Sequence, residues 1–303
     1  MGNTTSLASR KSWSDRIFDV VVYTVVLFVV LVTVYPFLNV LAISFNESID
    51  SVRGGITIYP REFTWDNYIK IFSFSGLLTG AKISALRTLL GTLLGLLTAS
   101  MLAFTLARED FQARKFVSTF LALTMYVSGG MIPTYMLMRD LHLMNSFAVY
   151  ILPGAVSAFN VFVIRSFIDG LPYALQESAK LDGANDFTIY WRVVLPLAKP
   201  ALATIALFLA VAQWNAWFDT YLYNGSNEAL TTLQFELMKV LQSTTTGNGG
   251  DYRSNIVSNS VNQVSPESIK MAITIVVTVP ILLVYPFIQK YFVQGMTLGA
   301  VKS

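Results

Sequence analysis

The chain has 303 residues, of which 54% are hydrophobic and 13% charged, about half the charged share of a soluble globular protein. So few ionic groups leave too little to cover a water-facing surface of this size, and the mean hydropathy of +0.55 agrees, so a soluble enzyme, a disordered tail and a coiled-coil rod are excluded. The net charge of +3, from 21 Lys and Arg against 18 Asp and Glu, is too thin and scattered to be a nucleic-acid footprint.

A helix needs about 20 apolar residues to cross roughly 30 Å of hydrocarbon. Six stretches free of Asp, Glu, Lys and Arg are long enough, at 20–45, 88–107, 116–138, 141–164, 201–218 and 271–289. None alternates like the strand of an outer-membrane barrel, and lipid otherwise admits only helices. The expectation is an all-α integral membrane protein with six transmembrane helices, at about 17–45, 83–107, 115–138, 141–165, 200–222 and 268–291. The first stretch is too long, and lacks the small-residue cleavage pattern, for a removable signal peptide.

Arg10, Lys11 and Arg16 precede the first span, and Arg108, Arg114 and Lys115 crowd the link between spans two and three. The link between spans three and four carries only Arg139. Positive residues prefer the cytoplasmic side, so both termini are expected inside. Residues 1–16 form a cytoplasmic segment, 17–295 the six-helix domain of the cytoplasmic (cell) membrane, and 296–303 a cytoplasmic tail. Arg165, Lys180, Arg192 and Lys199 then also face the cytoplasm, and loops 46–80 and 224–266 lie outside. In the first outer loop Thr64 is positioned to cap a short helix. In the second, Gly247, Gly249 and Gly250 mark a turn, but no Gly-x4-Gly-Lys-Ser/Thr occurs in the chain, so ATP is not bound by that motif. With no cysteine and only His142, disulfides, iron–sulfur clusters and histidine-built metal or catalytic clusters are not expected.

The cytoplasmic connection 169–199 has internal design. Pro172 suits the first turn of a helix running to about Leu181, in which apolar Ala174, Leu175, Ala179 and Leu181 alternate with Gln176, Glu177 and Lys180. Asp182-Gly183 is a tight break where glycine tolerates a positive φ. A second helix starts from Asn185 or Asp186 as cap and ends towards Pro196 and Pro200. Such a helix pair, joined stiffly to two spans, is suited to transmit a push into the membrane.

Glu177-Ser178-Ala179, three residues, Gly183, nine residues, then Val193-Val194-Leu195-Pro196 resembles the EAA loop of binding-protein-dependent ABC importer permeases (MetI-like transmembrane domain). That pattern reads Glu-Ala-Ala, three residues, Gly, nine residues, Ile-x-Leu-Pro; Ser178 and Val193 are the departures, both conservative in size. Trp214-Asn215 and the segment 295–302 resemble the carbohydrate-uptake branch typified by the second permease of the maltose system. Ser128-Gly129-Gly130-Met131-Ile132-Pro133 and Thr64-Trp65-Asp66-Asn67-Tyr68 are similar to its complex-polysaccharide and oligosaccharide permeases.

The resemblance implies a type I ABC importer permease fold and a half-channel without enzymatic activity. It implies a homologous permease as heterodimer partner, two cytoplasmic ABC ATPase subunits, and an extracytoplasmic solute-binding protein that delivers a sugar. This chain would bind no cofactor; ATP and Mg would be used by the ATPases. Tyr173, Leu175, Glu177, Ser178, Ala179, Asp182, Gly183 and Ala184 would form the ATPase-coupling site. Gly295, Leu298, Gly299 and Lys302 would form an extended tail reaching between the ATPases.

Gln213, Trp214, Asn215 and Trp217 offer amides for hydroxyls and aromatic faces for sugar rings, which suits the wall of a substrate pathway. Interface packing with an aromatic belt at the membrane surface is the alternative. Asn160 is a further candidate, against the ordinary role of an interhelical hydrogen bond. Lys82, Arg87 and Arg165 are expected to snorkel to the interface rather than meet an anion. Asp219 is expected to serve as a cap or loop residue, and His142 as an interfacial loop residue rather than a proton relay. A permease of the same class for another solute, such as an amino acid or a phosphonate, is the runner-up function. A stand-alone secondary transporter or channel is disfavoured, because its span centres would carry ionisable groups.

Overall fold

The computed structural model describes residues 13–245 and 265–300. Among them no strand forms; a single isolated bridge pairs Asn46 with Phe63. The chain divides into two compact units, Met1–Ile69 with Val257–Ile275, and Lys70–Ile256 with Val276–Ser303.

The first unit opens with α1, Trp13–Ser44, a 32-residue helix interrupted by nothing sharper than Pro36. None of its most apolar window is buried within the chain, so its side chains are left to lipid or to another protein. A short helix α2, Ser48–Val52, follows. The loop around it is held by buried polar groups: the Asn46 side-chain oxygen accepts from the backbone N–H of Arg61 at 2.7 Å and of Glu62 at 2.9 Å. The Asn67 amide donates to the carbonyls of Ser44 and Asn46, both at 2.9 Å. The next helix, α3, covers Asp66–Ser73; the Thr64 hydroxyl accepts from the Asp66 N–H at 3.1 Å, so the expected cap is present.

The second unit is organised around α4, Ser75–Ala107. It contains α5 (Arg114–Tyr126), α6 (Met131–Asp140), α7 (Ala158–Asp169), α8 (Ala174–Leu181), α9 (Asp186–Ile189), α10 (Leu195–Leu197), α11 (Lys199–Asn215), α12 (Phe218–Asn224) and α13 (Leu233–Thr245). The last helix, α14, covers Pro266–Ala300 and includes Pro280 and Pro286. Helix α4 packs against α7, α11 and α13. Ala99 and Ala103 are fully buried there beside Val161, Ile164, Leu202 and Ile205. Small residues at a helix contact let backbones approach closely, which is the main source of association where lipid is as apolar as the core.

Three helices are long and apolar enough to cross a membrane among the described residues, or up to five if each bent pair is one span. The third expected span is one such pair: α5 and α6 meet at 117°. Gly130, at φ 82°, makes the break. The fourth expected span, 141–165, is not one helix. A 3-10 turn at Phe147–Tyr150 and an irregular stretch with Pro153 and Gly154 precede α7, which starts only at Ala158. Proline supplies no N–H and glycine no side chain to pack, so an apolar run there does not make a continuous helix. At the fifth span, the run from Asp186 to Leu197 bends by 82° onto α11.

Candidate functional site

The motif-bearing connection folds as two short helices set on the main core. Helix α8 begins two residues after Pro172, and Gly183 follows it at φ 84°. A Cβ there would meet nothing within 4 Å, so glycine is required by backbone conformation and not by space. The Asn185 side chain then caps α9, accepting from the Thr188 N–H at 2.8 Å. Beyond α9 the helix widens to a π turn over Tyr190–Val194, where the Leu195 N–H reaches the Tyr190 carbonyl. Pro196 has no N–H to give the next carbonyl, and the widened turn falls next to it.

This segment is built into the hydrophobic core around α4. Ile189, Tyr190 and Val194 are buried with Ala99, Ala103, Ile164 and Ile205. The Tyr190 hydroxyl lies 2.8 Å from that of Ser100 on α4. Ala179 and Ala184 pack against the same cluster, and Gln176 is buried. The opposite face is open: Tyr173, Leu175, Glu177, Ser178, Asp182 and Gly183 are exposed, and Leu181, Phe187 and Trp191 expose large apolar surfaces.

Ionic contacts tie the pair to the link between α4 and α5. Arg108 binds both Asp110 and Asp186, and Lys180 donates to Asp110 at 3.1 Å. Hydrogen bonds from Arg108 and then Lys180 hold the Asp110 carboxyl well below the usual carboxylate range. The Arg108 guanidinium is held above its ordinary value, chiefly by its bond to Asp110. Arg165 is also engaged, donating to the Ser118 hydroxyl at 2.7 Å with Asp169 at 3.5 Å.

The residues expected to form a pathway wall fall at the end of α11 and just beyond it. Trp214 donates through Nε1 to the Val277 carbonyl at 3.0 Å. Trp214 and Asn215 line a cavity of about 690 Å³ with Thr88, Phe208, Pro280 and Tyr285. Most of the lining is aliphatic. The Thr88 hydroxyl is buried without a hydrogen-bond partner, so it is an unused polar group in that lining. Trp217 stacks edge-on with Phe218. Asn160 is buried on α7 and is not among the lining residues.

Gln213 points elsewhere, to Arg87. Arg87 is only 2% exposed, which overturns the snorkelling expectation. It donates from Nη2 to Asp219 at 2.5 Å and from Nη1 to the same carboxylate at 3.1 Å. Its Nε donates to Gln213 at 3.1 Å, and it stacks over the Tyr150 ring at 4.5 Å. Asp219 is therefore an ion-pair partner, and its Oδ1 also accepts from the Thr220 N–H at 2.8 Å in the first turn of α12. A bidentate pair on a buried guanidinium satisfies a charge that would be prohibitive alone. Lys82 is exposed. His142, exposed in a turn at φ 56°, sets its ring Nδ1 3.0 Å from the Asp140 carbonyl.

In the tail, the backbone is helical through Ala300, not extended, because it continues α14 without a break. Gly295, Leu298 and Gly299 lie on that helix. Lys302 lies outside the described residues, as do Gly247, Gly249 and Gly250.

Comparison with known proteins agrees with this architecture. The chain belongs to the family described as the binding-protein-dependent transport system inner membrane component, whose model matches residues 3–298. It is thus a multi-pass component of a transport channel in the cell membrane, and not an enzyme. It is 38% identical over 289 residues to the polygalacturonan/rhamnogalacturonan transport system permease protein YtcP of Bacillus subtilis (strain 168), covering 95% of this chain and 99% of that one. It is 32% identical over 281 residues to the arabinooligosaccharides transport system permease protein AraQ of Halalkalibacterium halodurans, covering 91% and 94%. Its fold matches a chain in the crystal structure of a bacterial ABC transporter involved in the import of the acidic polysaccharide alginate, with TM-score 0.83 and 28% identity over 94% of this chain and all of that one. The sugar-permease resemblance read from the loop and the wall is borne out at the level of family.

Proposed function

We propose that this chain is one half of the channel of an ATP-driven importer for an oligosaccharide or a polysaccharide-derived sugar. The similar permeases carry the names of pectin-type and arabinose-based saccharides, and the similar structure belongs to an alginate importer. A homologous permease completes the channel, two cytoplasmic ATPases use ATP and Mg, and an extracytoplasmic binding protein delivers the sugar. Six spans with both termini inside remain the topology best supported by the charge pattern. In that arrangement α8 and α9 face the cytoplasm.

The observation that carries the reading is the two-sidedness of the coupling segment. Its exposed face of Tyr173, Leu175, Glu177, Ser178, Asp182 and Leu181 suits a cleft in an ATPase. Ala179, Ala184, Ile189 and Tyr190 on its other face belong to the core that holds α4, α7 and α11. A movement of the ATPase surface is then transmitted to the spans without a flexible intermediary, as alternating access requires. Trp214 and Asn215, at the cavity, supply a ring face and an amide to the pathway. The aliphatic remainder of that cavity leaves most hydroxyl partners to the companion permease. The residues Gly295, Leu298, Gly299 and Lys302 are proposed to meet the ATPases at their interface.

The test is paired measurement on one preparation: ATPase co-purification and sugar uptake by the reconstituted complex. A chain that recruits no ATPase and moves solute alone would replace this reading with that of a secondary transporter.

A further inference from the structure

Arg87 lies on α4, far in sequence from everything it holds. Its guanidinium reaches three successive parts of one segment: the Gln213 side chain on α11, the Ala216 carbonyl at 3.3 Å, and the Asp219 carboxylate on α12. Between these anchors the helix is broken, since Ala216 takes an extended backbone at φ −73° and ψ 125°. Trp214 and Asn215 sit inside the bracketed stretch. One turn further along the same face of α4, Gly91 leaves room for Gln213: a Cβ there would come within 2.6 Å of the Gln213 amide nitrogen. The Tyr150 ring closes over the guanidinium, and the Tyr150 hydroxyl donates to the Leu230 carbonyl at 2.6 Å. An arginine is suited to this because its fork makes several directed bonds at once; lysine keeps the charge and loses the fork.

We propose that Arg87 is the positioning residue of the substrate-pathway wall, fixing the break between α11 and α12 so that Trp214 and Asn215 face the cavity. Asp219 neutralises the guanidinium, and Gln213 serves as the strut between Arg87 and the end of α11 rather than as a sugar ligand. The inference rests on Trp214 and Asn215 forming that wall. It changes the role of Gln213 from substrate contact to scaffold.

The chain has no cysteine, so a single introduced thiol reports its own surroundings. The experiment uses the full complex in proteoliposomes, with Asn215→Cys as reporter and Ser73→Cys, at the exposed end of α3, as control. Labelling by a water-soluble maleimide is measured alone and combined with Arg87→Lys, Asp219→Asn or Gly91→Ala. Uptake is measured in the same three backgrounds without the reporter. The expected result is an assembled complex in which Asn215→Cys labelling changes about fivefold or more, Ser73→Cys labelling stays constant, and uptake falls about tenfold, because the fork, the charge or the space is altered without removing a wall residue. Gly91→Ala is expected to reproduce the effect with the ion pair intact. Unchanged labelling at position 215 in assembled Arg87→Lys and Gly91→Ala complexes would overturn the proposal. So would loss of assembly in both Arg87→Lys and Asp219→Asn, which would make the pair a fold element only. Wild-type uptake by Trp214→Ala and Asn215→Ala, with labelling still shifted by Arg87→Lys, would instead sink the pathway reading on which the proposal rests.

Discussion

Asp110 and Lys180 lie 3.1 Å apart, so the short link after α4 and the proposed coupling helix α8 share a carboxylate that Arg108 also grips. The coupling segment is thereby fastened twice, by packing on its inner face and by charge at its edge. These pairs are partly exposed, and such contacts contribute at most about 1 kcal/mol each. Asp110→Asn is expected to leave the complex assembled and to lower uptake about two- to fivefold. Wild-type uptake would show that packing alone holds the helix.

The same carboxylate predicts a pH response. Its folded-state pKa is depressed, so its stabilising contribution is present above the unfolded carboxyl value and is lost only as pH falls through the lower folded value. Between roughly pH 5 and pH 8 this group stays ionised, since an ordinary Asp titrates near 4. ATPase co-purification is expected to be flat across that window for the wild type, as far as this cluster governs it. A loss centred between pH 5 and 6 that Asp110→Asn abolishes would contradict the assignment.

Gly183 offers a cleaner discrimination. Its surroundings are open and only its φ of 84° is restrictive, so substitution costs conformation rather than space. Asn enters the left-handed region readily and a β-branched residue does not. Gly183→Asn is expected to retain most uptake, while Gly183→Val loses about 1 kcal/mol or more of backbone preference and hydrolyses ATP with little transport. Equal behaviour of the two variants would remove the positive-φ explanation.

Glu177 stands on the exposed face of α8 with no role in the core. Glu177→Lys reverses a charge at the proposed ATPase surface, where a charge-assisted hydrogen bond is roughly twice as strong as a neutral one. Weakened ATPase co-purification is expected with membrane insertion unchanged. Full recovery of the ATPase with this variant would place the docking face elsewhere.

Trp214 has two functions that substitution separates. Trp214→Phe removes the bond to Val277 at a cost of about 1 kcal/mol but retains a ring at the cavity, whereas Trp214→Ala removes both. Uptake is expected to fall severalfold more in the alanine variant than in the phenylalanine variant. If the two match, the hydrogen bond and not the ring is what uptake requires.

What the amino-acid order revealed was mostly local. Glu177, Gly183 and Pro196 sit at fixed intervals in one short segment, and each has a conformational reason legible from its type. The Thr64 and Asn185 caps follow the same rule. Arg87 and Asp219 are 132 residues apart, and an arginine at the edge of an apolar run looks alike whether it snorkels or is buried against a carboxylate. Hydropathy likewise marks 141–165 as apolar without saying that Pro153 and Gly154 prevent a helix. Apolar content reports the surroundings of a segment, and backbone punctuation decides its shape.

The π turn at Tyr190–Val194 has a mechanical meaning. A widened turn accommodates one more residue than an ordinary one, and each residue rotates a helix by about 100°. Ile189, before the turn, and Ala198, after it at the bend onto α11, both enter the same core, so their facing depends on that single extra unit. The segment works as an indexed gear: taking out one residue would leave the composition almost untouched and turn Leu195 and Ala198 away from their seat.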